Sequence, residues 1–329
     1  MGDSRSAGIL AIEILVCSTG VLLNLFILGF LHFHRIGSLL TTRLFKIQCI
    51  FDSVASLLAL IYLMSNEVPS SFSITTRTFF CHEWKSGLLL WFTVFLSRNN
   101  LLCIAFDYVR AVLRPARYKR KSHTAIVFYC IFTISYSFVL CVPIHFDVHF
   151  NQTTCIHKLE HIEIYEFKVC ALFSIYFWTV FGYLLTVLIV VILLTNAIRE
   201  IRRLGRRRNR LSNLSLDSKT TGDVKNLSSN NAYRTASQIT IRAAFLGLLF
   251  IITHLYHVIY FFLCAYGVVK FSVTSKANRL ATLLDVTNST FNPAVMMLFN
   301  PSLQRKITSF LLPFKRGRPS STPPNFLSH

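Results

Sequence analysis

The chain has 329 residues, 53% of them hydrophobic and only 15% charged, a composition too apolar for an ordinary soluble domain and fitting a membrane protein. Its formal charge of +20 does not call for a nucleic acid, because basic loops beside an anionic leaflet account for it. No nucleophile and base pair, phosphate loop or metalloenzyme motif stands out, so an enzyme is not expected.

A helix needs about 20 mostly apolar residues to cross a bilayer core. Seven stretches meet that length, at 8–33, 44–65, 85–113, 124–146, 168–198, 239–268 and 280–299. The first follows Met1–Ala7 without an obvious small-residue cleavage site and is expected to be a retained helix. Of the 34 Lys and Arg residues, 25 fall in the segments Arg35–Lys46, Arg110–Lys121, Arg199–Arg242 and Arg305–Arg318. Their bias puts those segments in the cytoplasm and the N-terminus outside, in a multi-pass protein of the plasma membrane.

The soluble segments are short. Residues 199–241 open with EIRRLGRRRNR and continue as Ser/Asn-rich LSNLSLDSKTTGDVKNLSSNN, the composition of a basic, flexible inner loop. In the tail, 305–329, RKITSFLLPFKRG mixes basic and bulky apolar residues as an interfacial helix does. The expected architecture is therefore an all-α membrane protein: a seven-transmembrane helix bundle over 1–304 and a tail carrying a short amphipathic eighth helix. Of nine cysteines, only Cys81 and Cys155 lie in or beside outer loops, where the compartment is oxidising, so a bridge between them is expected. The sequon at Asn151 falls in the outer loop between the fourth and fifth spans and marks a glycosylation site.

Polar groups inside spans are costly in hydrocarbon and should face the bundle interior. Here they include Glu13, Asn24, Asp52, Ser97, Arg98, Asn99, Asn100, Asp285, Asn288, Ser289 and Asn292. Their spacing resembles that of the rhodopsin-like, class A G protein-coupled receptors through nearly the whole chain. Asn24 in GVLLN, Asp52 in IFDSVAS, Asp107 in FDYVRAVLRPARY, the Asn-Pro box NSTFNP (Asn288–Pro293) and the turn FNPSLQRK all stand where that family has its marks. The resemblance implies an extracellular ligand and a cytoplasmic G protein, with arrestin a further partner, in a protein embedded in the lipid bilayer. It implies no cofactor beyond a sodium ion, held by Asp52, Ser97, Asn288, Ser289 and Asn292. A buried hydrogen-bond network at the same residues is the alternative, and a salt bridge from Arg98 to Asp52 or Asp285 would displace the ion.

Departures from the family pattern are as informative. Tyr108 stands where the family has the arginine that meets the G protein, and Arg110 is the nearest substitute. His254 replaces a tryptophan, Tyr256 a proline and Met296 a tyrosine, while Pro293 is kept; Asp107, Tyr108, Arg110, Pro293 and Met296 form the expected switch. Val286 in place of a lysine disfavours retinal, and Leu90 in place of an aspartate disfavours an amine. The expected pocket comprises Leu90, Trp91, Phe95, Tyr176, His254, His257 and Tyr260 under an acidic rim of Glu83, Glu160, Glu163 and Glu166, with Lys168 beside them. Such a cleft suits a peptide with a basic residue or a small apolar, chemosensory molecule. An ion transporter or channel built on Asp52, Arg98 and Asp285, or a decoy that does not couple because of Tyr108, are the alternatives.

Overall fold

The computed structural model describes residues 3–34, 38–64, 73–113, 122–151, 154–161, 163–215, 222–272, 275–298 and 301–311. Seven long helices run through it: α1 (Asp3–Phe33), α2 (Leu39–Met64), α3 (Leu88–Leu113), α4 (Ser122–Phe146), α5, α6 (Gly222–Ala265) and α7 (Lys276–Leu298). The α5 rod joins Tyr165–Phe177 to Leu185–Ser215 through a wide π turn, Trp178–Leu184. In lipid every backbone polar group needs an internal partner, and helices supply one.

Neighbours close a ring: α1 packs on α2 and α7, α5 on α6, and α6 on α7, while α3 touches α2, α4, α5, α6 and α7. The bundle is inverted relative to a soluble protein. Leu22, Phe128, Phe138, Leu188 and Ile252 are exposed, whereas Asn24, Asp52, Asn99, Asn100 and Asn292 are buried. The apolar outside is the lipid face and the polar inside holds the helices together. Among the described residues six helical segments are long and apolar enough to cross a membrane. The polar residues of α7 leave it outside that set, and α1, α2 and α6 surround it.

At one end, a two-stranded hairpin, β1 (Val148–Asn151) and β2 (Thr154–His157), is antiparallel with Phe150 opposite Cys155. The expected disulfide is present: Cys155 is bonded to Cys81 in the helical turn before α3. Asn151 ends β1, and the rest of its sequon lies outside the described residues. Beside the hairpin, Ser174 Oγ donates to Asp147 Oδ1 at 2.7 Å. Burial pushes the Asp147 carboxyl up to about 7, against the lowering effects of Ser174 and Lys158.

At the other end, α8 (Pro301–Leu311) buries Leu303 and Ile307, four residues apart, in the cluster that holds Ile27 and Phe30 of α1. Gln304 Nε2 caps the Leu298 carbonyl at 2.8 Å, tying α8 to the end of α7. Residues 312–329 of the tail lie outside the described residues. The stretch expected as a flexible loop, 199–241, differs from that expectation, since its described backbone is helical from 199 to 215 and from 222 onward. Arg and Leu are good helix formers, and the apolar ends of α5 and α6 nucleate the extensions.

Candidate functional site

A cavity lies between α3, α5, α6 and α7 on the disulfide side of the bundle. Trp91, Val94, Phe95 and Arg98 share one face of α3, and His254, His257 and Val258 share one face of α6, as the spacing of three and four residues requires. Trp178, Gly182 and Tyr183 come from the π turn of α5, and Asp285 from α7. The π turn gathers three cavity residues on one patch. Trp178 is held by donating Nε1–H to the Leu140 carbonyl at 2.8 Å.

The floor of this cavity is charged. His257 Nδ1 lies 2.7 Å from Asp285 Oδ2, and His254 Nε2 lies 3.6 Å from Asp285 Oδ1. The guanidinium of Arg98, a buried residue, faces the rings of Phe95 at 4.6 Å and Phe250 at 5.5 Å. Its Nε and Nη2 have no hydrogen-bond partner. A Cβ built at Gly182 would stand 3.5 Å from Nη2, in ordinary contact, so α5 packs directly over the guanidinium.

One turn deeper the interior is polar but differently satisfied. Asp52 Oδ1 accepts from Ser97 Oγ, while Oδ2 accepts from Gln48 Nε2 and Asn292 Nδ2, each at 3.0 Å. Gln48 Nε2 also reaches Ser97 Oγ at 2.8 Å, and its Oε1 accepts from Asn100 Nδ2 at 2.8 Å. Asn24 Nδ2 donates to the Gly20 carbonyl at 2.9 Å and to the Ser289 carbonyl at 3.1 Å. The second bond explains the Asn-Pro box: Pro293 has no N–H to give the carbonyl four residues back, and Asn24 supplies a donor to it. Close approach of α1 to α2 and α7 depends on Gly20, where a Cβ would meet Ser56 Oγ and Thr290 Oγ1 at 2.6 Å. Asn288 Oδ1 and Asn292 Oδ1 are buried acceptors without a hydrogen-bond partner. One carboxylate with neutral oxygens beside it fits a monovalent cation rather than a dication. The amide hydrogens of Gln48 compete for the same carboxylate.

Toward the α8 end, Asp107 is buried and its Oδ2 accepts from Thr41 Oγ1 at 3.0 Å. Tyr108 is buried among the apolar residues of α1, α2 and α8, with its ring 6.2 Å from Phe45. Arg110 faces a lateral groove with Phe106, Phe128 and Tyr129, and it hydrogen-bonds the Tyr129 side chain.

Residues 24–295 match the 7 transmembrane receptor (rhodopsin family). The chain belongs to that family. A search of the curated proteins finds no match. Membership makes the protein a multi-pass membrane receptor for an extracellular ligand that signals through a G protein, and receptors of this family are generally not enzymes. The receptor brings Asp52, Ser97 and Asn292 into direct contact, with Asn24 on the Ser289 carbonyl.

Of the seven residues expected at the pocket, Trp91, Phe95, His254 and His257 line the cavity. Leu90 instead packs with Cys17, Ala55 and Val286. Tyr260 is buried in a second cluster and bonds Ser275 at 3.1 Å, and Tyr176 is exposed with its hydroxyl on that of Tyr266. These three follow from helix rotation: Leu90 and Trp91 are consecutive and so look in different directions. Arg98 reaches neither expected carboxylate at salt-bridge distance: Asp52 accepts from neutral donors, and Asp285 sets Oδ2 against His257 while its Oδ1 has no hydrogen-bond partner. Met296 is buried near Tyr108, in the same cluster, and Pro293 is buried within α7. Sequence reasoning missed Gln48, whose place one turn before Asp52 was the available signal. It also missed Trp178, Gly182 and Tyr183, for which there was no signal, because a π turn breaks the 3.6-residue period.

Proposed function

We propose that the receptor stands with its N-terminus and disulfide end outside the cell, and that a peptide or a small apolar molecule enters through that end. Occupancy of the charged cavity would move α3, α6 and α7 against one another, and a G protein or arrestin reads the change. The observation that carries this is adjacency. Ser97 bonds Asp52 while its neighbour Arg98 lines the cavity, and on α7 Asp285 lies one turn from Asn288 and Ser289. A ligand that favours one arrangement of the cavity therefore bears on the polar core, and it shifts the equilibrium by its differential affinity.

The 25 basic residues on one side, out of 34, support the orientation, with glycosylation at Asn151 expected on the other. Aromatic walls favour an apolar ligand group, and Glu83, Glu163 and Glu166 in the segments at the disulfide end favour a peptide with a basic residue. Asp52, Ser97, Asn288, Ser289 and Asn292 would hold a sodium ion that stabilises one of the two arrangements. Tyr108 leaves the contact with the G protein to other residues, of which Arg110 is the nearest basic one.

Agonist-independent recruitment of G proteins and arrestin, measured by energy transfer in cells at matched surface expression, tests this. The unmodified receptor should recruit above background, and Arg110→Ala should abolish recruitment. Recruitment by Tyr108→Arg alone would make the natural protein a decoy. Silence of all versions together with ligand-free ion flux in vesicles would favour a transporter or channel.

A further inference from the structure

The Arg98 guanidinium poses a problem that the polar core does not. A buried cation is costly unless it is paired, yet Nε and Nη2 of Arg98 have no hydrogen-bond partner. Ring faces cover part of it, at 4.6 Å for Phe95 and 5.5 Å for Phe250, but a ring face accepts less than an anion does. Asp285, the nearby carboxylate of the cavity, presents Oδ2 to His257 and Oδ1 to His254. Arg98 thus lines a cavity while two of its buried donors are short of an acceptor.

The geometry points to a binding site for one compact monovalent anionic group in this cavity, held by the Nε and Nη2 donors of Arg98 between Trp91, Trp178 and the His254–Asp285–His257 set. The class is a halide ion or the carboxylate of a ligand, and the site rests on this cavity being where a ligand enters. Size sets the class. The space open to the centres of water-sized atoms is about 40 Å³, which is room for roughly three such atoms at about 10–15 Å³ each. A carboxylate fills that, and a phosphate with its further oxygens does not fit. A guanidinium offers the planar donor pair that a carboxylate matches.

Charge balance adds a condition. With Arg98 positive and Asp285 negative, an incoming anion leaves one negative charge in a dry site unless an imidazole takes up a proton. Facing the site are Arg98 of α3, Tyr136 and Cys141 of α4, Tyr183 of α5, His254 and His257 of α6 and Asp285 of α7. His254 Nδ1 already faces the Phe250 carbonyl at 3.1 Å, an acceptor, while its Nε2 faces Asp285. A proton on both nitrogens satisfies both contacts. Anion binding is therefore coupled to the uptake of a proton and tightens as the pH falls.

The chain has three tryptophans, and two of them, Trp91 and Trp178, line the cavity, which gives the test an internal reporter. Full-length receptor in phosphatidylcholine nanodiscs is titrated with sodium bromide, a quencher, against sodium methanesulfonate at constant ionic strength, with tryptophan emission as the readout. The expected result is saturable quenching, relieved by chloride and acetate and stronger at pH 6. Arg98→Met should weaken it by at least about tenfold, and Arg98→Lys should fall between the two. Relief by acetate with a saturable bromide signal assigns a free anion. A thermal shift with acetate but only linear bromide quenching assigns a ligand's carboxylate. Linear quenching equal in the unmodified receptor and Arg98→Met, with no shift by acetate, overturns the site. The assay contains no G protein, so a negative result here beside positive recruitment in cells sinks the anion site alone, and the reverse sinks the coupling.

Discussion

Asp52 and Asp285 are both buried carboxylates in the interior of one bundle, and their surroundings differ in kind. Asp52 is saturated by neutral donors from three helices, Ser97, Gln48 and Asn292. Asp285 sits among groups that carry or can take up charge: two imidazoles at 2.7 and 3.6 Å, and Arg98, which shares its cavity. A saturated network fixes how helices pack, because every member loses a partner if one helix moves. An unsaturated charged set keeps binding capacity in reserve. The two lie next to each other along α3 and α7.

Removing the carboxylates separates these roles. Asp285→Asn leaves Arg98 and both histidines without the charge they face, and should be the most damaging change, on the scale of about 3–5 kcal/mol for an uncompensated buried charge. It should appear as a large fall in the thermal midpoint of purified receptor, largely restored in the double variant with Arg98→Met. Asp52→Asn should cost less, about 1–3 kcal/mol, since one amide oxygen still accepts while the NH2 group faces a donor. Equal losses in the two variants would erase the distinction.

Asp147, at the disulfide end, sharpens the comparison from outside the membrane. Its carboxyl titrates at about 7 because of burial, against about 3.9 in an unfolded chain. The folded state therefore holds the extra proton between those values, and stability is greatest below about pH 4 and falls as pH rises through about 7. At about 1.4 kcal/mol per unit of pH the loss is at most a few kcal/mol. Midpoints measured at pH 5 and pH 8 should fall in the unmodified receptor and stay level in Asp147→Asn. A level unmodified receptor would remove Asp147 as a titrating group.

The smallest effect is expected at Gln48. Gln48→Leu removes the amide that competes for Asp52 and should change stability by only about 1 kcal/mol. The shift of midpoint when sodium replaces choline, at fixed chloride, should become larger. An unchanged or smaller shift would mean that Gln48 helps to hold the ion.

Much of this was legible in the sequence because lipid makes polar residues conspicuous. Asn24, Asp52, Ser97 and Asn292 stand out from apolar runs by composition alone, and the two outer cysteines had few alternatives. Rotation and irregular backbone were harder to see. Tyr176 and Tyr260 are aromatic in the same half as Trp91, yet only the packing shows that they face away from the cavity. The π turn at Trp178–Leu184 leaves no trace in hydropathy. The helical extensions of α5 and α6 through the polar inner segment had been hidden by its Ser- and Asn-rich composition.

The most direct test is the thermal midpoint of ligand-free, purified Arg98→Met in methanesulfonate. If the cavity is an unsaturated recognition site, removing its unpartnered guanidinium leaves the midpoint unchanged or raises it, while Asp52→Asn lowers it. A fall with Arg98→Met as deep as that with Asp285→Asn would show the guanidinium to be a satisfied structural ion and contradict the account.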